Sequence, residues 1–365
     1  MKWIQNAIKS LSAVGRYRIR RIIIISIAWT LINIFLYFRN VSNGDDIDYP
    51  YHELGFAAIL LRSFVVLIIS FFMSWLLLRE VKIVVRKRTI VINWIIKVLF
   101  LMLIALAASI IIFFLHFLII KGIAFRVTFY QFVNYFLYTN FLTDILLFWF
   151  VMLLLAQTMV QIDQKYSPGV FWEIMTGKYL TPRNEKRIIM FLDLKDSTPI
   201  AEQLGHEKYF LFIKDFIHYI SIAVLDNKGM IYQYVGDEVV VTWPYKKSNV
   251  LKSMQAVIES RKAMQRKLDY FRRTYGITPE FRAGLHIGNV TIGEIGVIKK
   301  DIAISGEAMN ITARIRSACN ELNQKYIVSS EYFDTDILKS WQGEDLGVVS
   351  LKGVDESMKL YALKI

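Results

Sequence analysis

The segment Arg187–Leu194, with the sequence RIIMFLDL, decides the fold of the second half of this 365-residue chain. It is apolar except for its first residue and Asp193, and a short apolar run of this kind predicts a strand buried in a sheet. Two segments with helical patterns follow, Pro199–Gly205 and Glu207–Asp226. The second repeats apolar residues at helical spacing, which predicts a helix with one face packed on that sheet.

Further strands and helices continue the pattern to the C-terminus. Met230–Val235 and Glu238–Trp243 are β-rich runs joined through Gly236-Asp237, which is a hairpin signal. The order of elements predicts an α+β domain of sheet and helices. The other predicted elements are a long helix, a second hairpin, another helix and three strands: Val250–Arg273, Phe281–Ile287 with Asn289–Glu294, Glu307–Asn320, Tyr326–Ser329, Val348–Leu351 and Met358–Leu363.

Long apolar runs dominate the chain from its start to about Gln161. Over the whole sequence 55% of residues are hydrophobic and the mean hydropathy is +0.39. A helix that crosses a bilayer needs about 20 mostly apolar residues. No cleavable signal peptide is predicted, because the first apolar run starts late and no small-residue cleavage site follows it. Four stretches are predicted to span a membrane as helices: Ile22–Phe38, Leu54–Leu78, Val98–Ile120 and Phe141–Val160.

Basic residues in the flanks predict the orientation of the four spans. Lys and Arg cluster before the first span and between the second and third, whereas the loop between the first and second is acidic. The N-terminus and the second half are therefore expected in the cytoplasm, and the protein in the inner (plasma) membrane as a multi-pass protein. The predicted domains are a membrane domain at 1–162, a helical transducer or linker at 163–186, and a cytoplasmic domain at 187–365.

Ionisable residues inside membrane spans are candidates for function. Arg62 and Lys97 lie near span ends, where we expect them to reach an interface with their long side chains. His116 and Asp144 are expected toward the extracytoplasmic side. They are candidates for a ligand or proton site.

The net charge of +13 and the single cysteine limit the classes of function. Much of the positive charge flanks the predicted spans, where cations meet anionic lipid. No nucleic-acid partner is predicted, because no helix-turn-helix, RNA-recognition or zinc pattern is present. Cys319 alone excludes an intrachain disulfide framework and a zinc site built from several thiolates.

Two carboxylates occupy positions that suit metal binding. Asp193 ends the apolar strand, and Asp237 lies in the tight turn of the first hairpin. Brought side by side on adjacent strands, they would supply the oxygen ligands that Mg²⁺ prefers, with substrate phosphates completing the shell. Each also has a purely structural interpretation: Asp193 or Asp196 could cap the following helix, and Asp237 could be a turn residue.

A polar pair on a predicted helix forms the second cluster. Asn310 and Arg314 are one helical turn apart and share a face, an arrangement that suits phosphate or ribose oxygens. They could equally be a capping Asn and a surface Arg. Near the C-terminus Lys352 precedes Gly353 at the end of a predicted strand, free to reach an anion.

Together these pieces resemble the catalytic domain of class III nucleotidyl cyclases, over about residues 187–364. The resemblance implies a ferredoxin-like or palm-type α+β fold. It also argues against a diguanylate cyclase, because the Gly-Gly-Asp/Glu-Glu-Phe turn of that family is absent. Five motifs carry the resemblance in the family's order: Phe191-Leu192-Asp193-Leu194 with Thr198, Gly236-Asp237, Arg282–Gly288 with Gly293, Gly306-Glu307 with Asn310 and Arg314, and Leu351-Lys352-Gly353.

The resemblance implies a role for each matching residue. Asp193 and Asp237, with the Leu194 carbonyl, would bind two Mg²⁺ or Mn²⁺ ions. Arg314 would stabilise charge on the α-phosphate, and Asn310 would orient the ribose. A lysine at 352 would hold the terminal phosphates. In this family the metal aspartates and the Asn/Arg pair belong to opposite subunits, so a head-to-tail homodimer is implied.

The positions that select the base depart from the family's patterns. Gln233 stands where adenylate cyclases usually have Lys, and Ala303 where they usually have Asp or Thr. Neither matches the guanylate cyclase pattern, although the Gln233 amide can face either purine. In the first motif, Asp196-Ser197 also departs from the family's pattern. The resemblance therefore predicts a purine nucleotide cyclase, with ATP preferred over GTP. The alternatives are a guanylate cyclase, a catalytically dead nucleotide-sensing dimer, and a four-span channel or transporter with a regulatory domain.

Overall fold

The structure is a computed structural model that describes residues 13–42, 56–78, 90–138, 141–165, 173–174, 176–298, 300–335, 341, 343–353 and 357–365. The chain divides into two compact units, one of them Tyr17–Lys165 and the other containing Tyr166–Ile365. The acidic and basic loops that flank the second predicted span lie outside the described residues. So does Ser167-Pro168-Gly169, where the sequence predicts that the helix continuing from the fourth span ends.

The first unit is helical. Among the described residues, Ile59–Leu76 and Ile95–Ile119 are long and apolar enough to cross a membrane, and Trp149–Thr158 is a shorter apolar stretch. Two of the four predicted spans thus have such a helix; Ile22–Phe38 and Phe141–Val160 lie on helices but are not confirmed as spans. The helices are α1 (Ala13–Ser42), α2 (Phe56–Leu78), α3 (Ile90–Leu115) with a π-helical turn at His116–Ile120, α4 (Phe125–Tyr138) and α5 (Phe141–Lys165).

The helix α4 replaces the loop predicted between the third and fourth spans. Its aromatic residues recur at helical spacing, so that Phe132 packs on two rings near the end of α3. The ring centroid of Phe132 is 5.5 Å from that of Phe113 and 5.3 Å from that of Phe114. The sequence prediction treated this Phe- and Tyr-rich segment as a loop and did not use its aromatic periodicity.

Large apolar side chains remain exposed along this unit. Its small core is formed by Trp29, Met73, Leu101, Ala105 and Leu153. Elsewhere on the same helices, apolar side chains such as Leu31, Phe64 and Leu103 are 59%, 61% and 66% exposed. Apolar surface on this scale is typical of faces that contact lipid or other proteins.

The second unit is built on a mixed sheet of eight strands, in the order β2-β3-β1-β4-β6-β8-β7 with β5 paired to β4. Helices cover both faces of its central strands. The elements are β1 (Arg183–Leu194), α6 (Ser197–Leu204), α7 (His206–Asp226), β2 (Met230–Val235), β3 (Glu238–Pro244), α8 (Lys247–Arg266), α9 (Leu268–Tyr275), β4 (Phe281–Ile295), β5 (Asp301–Ser305), α10 (Glu307–Glu321), β6 (Tyr326–Ser329), α11 (Ser330–Phe333), β7 (Gly343–Val349) and β8 (Met358–Leu363).

The central strand β1 is buried on both faces because successive side chains point to opposite sides. Ile188, Met190 and Leu192 join the core that includes Phe212 of α7. Ile189 and Phe191 belong to a second core, which includes Ala308 of α10. Burial of each such side chain stabilises the folded state by about 1.5–3 kcal/mol. The same alternation points Asp193 toward the α10 face of the sheet.

The sequence prediction of a second hairpin at Gly288 is wrong. Residues Phe281–Ile295 form one continuous strand, β4, in which Gly288 pairs with Arg187 of β1. A Cβ at Gly288 would lie 2.5 Å from the Cβ of Ala308. This glycine therefore allows α10 to approach the sheet and makes no turn.

The secondary structure differs from the sequence prediction at three other places. The long helix predicted over Val250–Arg273 is two helices, α8 and α9, separated at Lys267. The short strand β5 was not predicted. The strand predicted at Val348–Leu351 begins and ends earlier, as β7.

Candidate active site

The two predicted metal-binding carboxylates lie next to each other. Asp193 ends β1, and Asp237 occupies the turn between β2 and β3. Because β1 pairs with β3 up to Leu192 opposite Val239, the end of β1 meets that turn, and the carboxyl groups of Asp193 and Asp237 lie close enough to interact. Gly236 has φ +63°, a backbone conformation that glycine adopts without strain.

The surroundings of Asp193 favour its neutral form when no cation is bound. Burial and, to a smaller extent, the neighbouring carboxyl of Asp237 raise the pKa of Asp193 to about 7, against the opposing effect of the nearby Arg316 guanidinium. A cation bound beside Asp193 would offset the cost of burial and favour its ionised form.

The donor atoms fit a divalent cation that prefers oxygen. Besides the two carboxylates, the peptide carbonyl of the buried Leu194 follows directly at the end of β1. The Oδ2 atom of Asp237 is buried without a hydrogen-bond partner. Buried carboxylate oxygens normally have partners, so this donor set suits Mg²⁺ or Mn²⁺. Among the described residues no group of three or more acidic, His or Cys side chains is arranged to hold a metal ion, so substrate phosphates would have to complete the shell around the two carboxylates.

Two charged residues that the sequence analysis missed lie against the carboxylate pair. Arg316 of α10 has Nη1 3.3 Å from Oδ2 of Asp193 and Nη2 2.5 Å from Oε2 of Glu238. Glu238 directly follows Asp237, and Arg316 is two residues beyond Arg314. Their positions beside predicted site residues were the signal that could have identified them. Neither residue belongs to a motif that carries the family resemblance, so the sequence analysis did not consider them.

A close approach of helix to strand makes these ion pairs possible. A Cβ at Gly284 of β4 would lie 2.5 Å from the backbone nitrogen of Arg316. Only a residue without a Cβ lets α10 lie this near β4. The glycine thus brings the Arg316 side chain to the end of β1.

The Asn310 and Arg314 side chains are exposed on α10, away from the carboxylate pair of the same chain. At about 100° per helical residue, they lie about 120° and 160° around the helix from Arg316. A Cβ at Gly353 would be 3.9 Å from Nη2 of Arg314, so the turn containing the exposed Lys352 lies beside Arg314. The predicted residues therefore lie in two separate groups, one with Asp193 and Asp237 and one with Asn310, Arg314 and Lys352, which we call the two half-sites of the candidate site.

The two base-selecting positions lie on neighbouring segments. Gln233 is exposed on β2, and Ala303 is half-buried on β5 opposite Gly293. The backbone N–H of Ile304 donates a hydrogen bond to the hydroxyl of Tyr232, 3.1 Å away. Gln233 and Ala303 therefore each adjoin one partner of this bond, although their role in base selection stays a prediction.

A buried histidine beneath α10 predicts acid sensitivity. Burial lowers the pKa of His286 to about 4, although Glu331 opposes the shift, and Nδ1 lies 2.8 Å from the Ser329 hydroxyl. The folded-state pKa of His286 lies below the ordinary value of about 6.5. The contribution of neutral His286 to the stability of the fold is therefore fully present above pH 6.5 and is lost as the pH falls toward 4.

We expect the second unit to lose about 1 kcal/mol of stability between pH 7.5 and 5.5 through this residue. Thermal unfolding at both pH values should show the loss in the wild type and a smaller loss in His286→Gln. An equal loss in both proteins would rule out this cause.

The second unit is thus an α+β domain with a pair of adjacent carboxylates and a separate Asn/Arg face. Residues 181–365 match the family described as the adenylate and guanylate cyclase catalytic domain. The match takes in half of the chain, and the chain belongs to this family.

The relatives include enzymes named for both cyclase activities. The chain is 31% identical over 211 residues to adenylate cyclase 2 of Rhizobium meliloti (strain 1021), covering 56% of this chain and 57% of the relative. It is 25% identical over 190 residues to the adenylate cyclase of Anabaena cylindrica, covering 48% and 36%. A receptor-type guanylate cyclase of Caenorhabditis elegans is 20% identical over 207 residues, 55% of this chain and 19% of the relative. This chain thus spans little more than half the length of the first relative and less of the others.

The fold also resembles solved structures. A bacterial light-regulated adenylyl cyclase superposes with a TM-score of 0.52 and 16% sequence identity, covering 60% of this chain and 64% of that one. At this identity the likeness concerns the fold alone.

Proposed function

We propose that this protein is a membrane-bound class III cyclase that converts ATP to 3′,5′-cyclic AMP and pyrophosphate. The observation that carries the proposal is the adjacency of Asp193 and Asp237 at the end of β1, in a chain of the cyclase family. The two relatives named adenylate cyclase support ATP as the substrate.

Asp193, Asp237 and the Leu194 carbonyl would hold two Mg²⁺ or Mn²⁺ ions. Bound there, the ions would lower the pKa of the ribose 3′-hydroxyl and neutralise the triphosphate. The 3′-hydroxyl would give its proton to solvent, the 3′-oxygen would attack the α-phosphorus in line, the bond from that phosphorus to the α–β bridging oxygen would break, and pyrophosphate would leave. The carboxylate pair would hold the nucleotide's phosphates at the end of β1 only through the bound cations.

The other half-site would act on the same nucleotide from a second copy of the chain. The Arg314 guanidinium would stabilise the charge that develops on the α-phosphate. Asn310 would orient the ribose, and the Lys352 ammonium would hold the terminal phosphates. Because Asn310 and Arg314 face away from the carboxylates of their own chain, a head-to-tail homodimer with two equivalent sites is the arrangement that completes each site.

A product assay with both nucleotides tests the proposed reaction. The purified full-length protein with Mn²⁺ is given ATP and GTP separately, and the products are identified by mass spectrometry. We expect cyclic AMP from ATP, at a higher rate than cyclic GMP from GTP.

The other outcomes decide between the alternatives. Faster formation of cyclic GMP would make the protein a guanylate cyclase, an outcome that Gln233 and Ala303 leave open because they fit neither pattern. No cyclic product from either nucleotide would favour the dead nucleotide-sensing dimer. That reading is disfavoured because Asp193, Asp237 and Arg314 are all present.

We propose further that residues 1–162 form a membrane domain of four spans, with the N-terminus and the catalytic domain (residues 187–365) in the cytoplasm of a multi-pass protein of the inner membrane. The two long apolar helices and the exposed apolar side chains of the first unit support insertion in a bilayer. Residues 163–186 would then transmit changes between paired subunits. Replacing the four spans by one inert helix should alter the basal cyclase rate or the response of that rate to signals. If neither changes, the four spans serve only as a membrane anchor.

A further inference from the structure

The guanidinium of Arg316 bridges a proposed metal ligand and a carboxylate with no proposed role. It lies 3.3 Å from Asp193 and 2.5 Å from Glu238. The side chains of Arg316 and Glu238 are only 24% and 12% exposed. In such surroundings charges are weakly screened and act strongly on one another.

The two contacts of Arg316 are unequal. Glu238 is the nearer partner, so it anchors the guanidinium, whereas the longer contact with Asp193 can be exchanged. Around this group the hydrogen bonding is incomplete, since Nε of Arg316, Oε2 of Glu238 and Oδ2 of Asp237 are buried without hydrogen-bond partners. The 2.5 Å contact of Glu238 with Arg316 is therefore an ion pair and not an aligned hydrogen bond. A buried network that is incompletely satisfied is costly. The arrangement therefore leaves Asp193 and Asp237 able to accept a further ligand.

We propose that Arg316 is a positioning residue that lowers the affinity of Asp193 and Asp237 for bare divalent cations, and that Glu238 holds Arg316 in this place. The inference rests on the proposed function. A dication between Asp193 and Asp237 is repelled by the fixed guanidinium, so it binds weakly on its own. A nucleotide triphosphate brings the negative charge that offsets this repulsion. Metal loading is thereby tied to the arrival of the nucleotide.

Binding of Mn²⁺ alone to the full-length protein in detergent tests the inference, with free Mn²⁺ measured by electron paramagnetic resonance. Arg316→Met, which removes the charge and keeps much of the length, should bind Mn²⁺ about tenfold more tightly than the wild type. Glu238→Gln should weaken binding, since Arg316 then has only Asp193 as an ionised partner. The double variant should resemble Arg316→Met, because Glu238 acts through Arg316.

Matched controls separate this effect from a loss of fold or of net charge. Arg273→Met removes an exposed arginine of α9 and should leave Mn²⁺ affinity unchanged. Circular dichroism checks folding, and Arg316→Gln, which keeps a polar side chain, serves in place of Arg316→Met if the latter unfolds.

Unchanged or weaker Mn²⁺ binding in the folded Arg316 variant would overturn the inference and leave the proposed function standing. A wild type that binds no Mn²⁺ even with an ATP analogue present would overturn the proposed function, and the inference with it.

Discussion

Replacing Asp193 by Asn is expected to lower cyclase activity by at least about 10³-fold, which corresponds to about 4 kcal/mol of transition-state stabilisation. The amide keeps the size of the carboxylate but has no charge to hold a divalent cation. Asp193 also lies at the end of the central strand, next to Asp237 and Arg316. Initial rates with Mn²⁺ and saturating ATP measure the loss.

The matched control for this variant is Asp269→Asn, which removes an exposed carboxylate in the first turn of α9. It should retain wild-type activity. Thermal unfolding should show that Asp193→Asn is folded, because the substitution also relieves the repulsion between two adjacent carboxylates. A folded Asp193→Asn protein that still turns over ATP at near the wild-type rate would remove Asp193 as a metal ligand.

Two inactive variants are expected to restore activity when they are expressed together. Asp237→Ala damages the metal half-site, and Arg314→Ala damages the half-site that faces a partner. In a mixed dimer one site combines the intact half of each chain, while the other site carries both lesions. With random mixing half of the dimers are mixed, so about a quarter of wild-type activity should return.

Each variant expressed alone should be nearly inactive. Differently tagged copies allow the mixed dimers to be isolated by tandem affinity purification before the assay. As a control, Asp193→Asn with Asp237→Ala should show no recovery, because both lesions lie in the same half-site. Purified mixed dimers of Asp237→Ala and Arg314→Ala that remain inactive would argue against sites shared between subunits.

The central strand and the carboxylate turn could be predicted because their signals are local. An apolar run such as Ile188–Leu194 has few alternatives to a buried strand, and Gly236-Asp237 between two β-rich runs indicates a tight turn. The start of β1 was less predictable. The strand extends back to Arg183 through polar residues that pair with β4, and this pairing partner is not encoded locally.

Contacts between distant elements explain the remaining differences. Gly288 was interpreted as a turn because glycine is common in turns, whereas its role depends on Ala308, twenty residues further along the chain. The bridge from Arg316 to Asp193 and Glu238 likewise joins α10 to two strands. Such contacts arise from tertiary packing, so neither periodicity nor a family motif predicts them.

The claim that two chains share one nucleotide is tested most directly by a structure of the full-length protein with Mn²⁺ and a non-reactive ATP analogue. We predict a dimer in which the triphosphate lies at Asp193 and Asp237 of one protomer, within reach of Arg314 of the other. A nucleotide held entirely by residues of one protomer, or Mn²⁺ bound away from both carboxylates, would contradict the account.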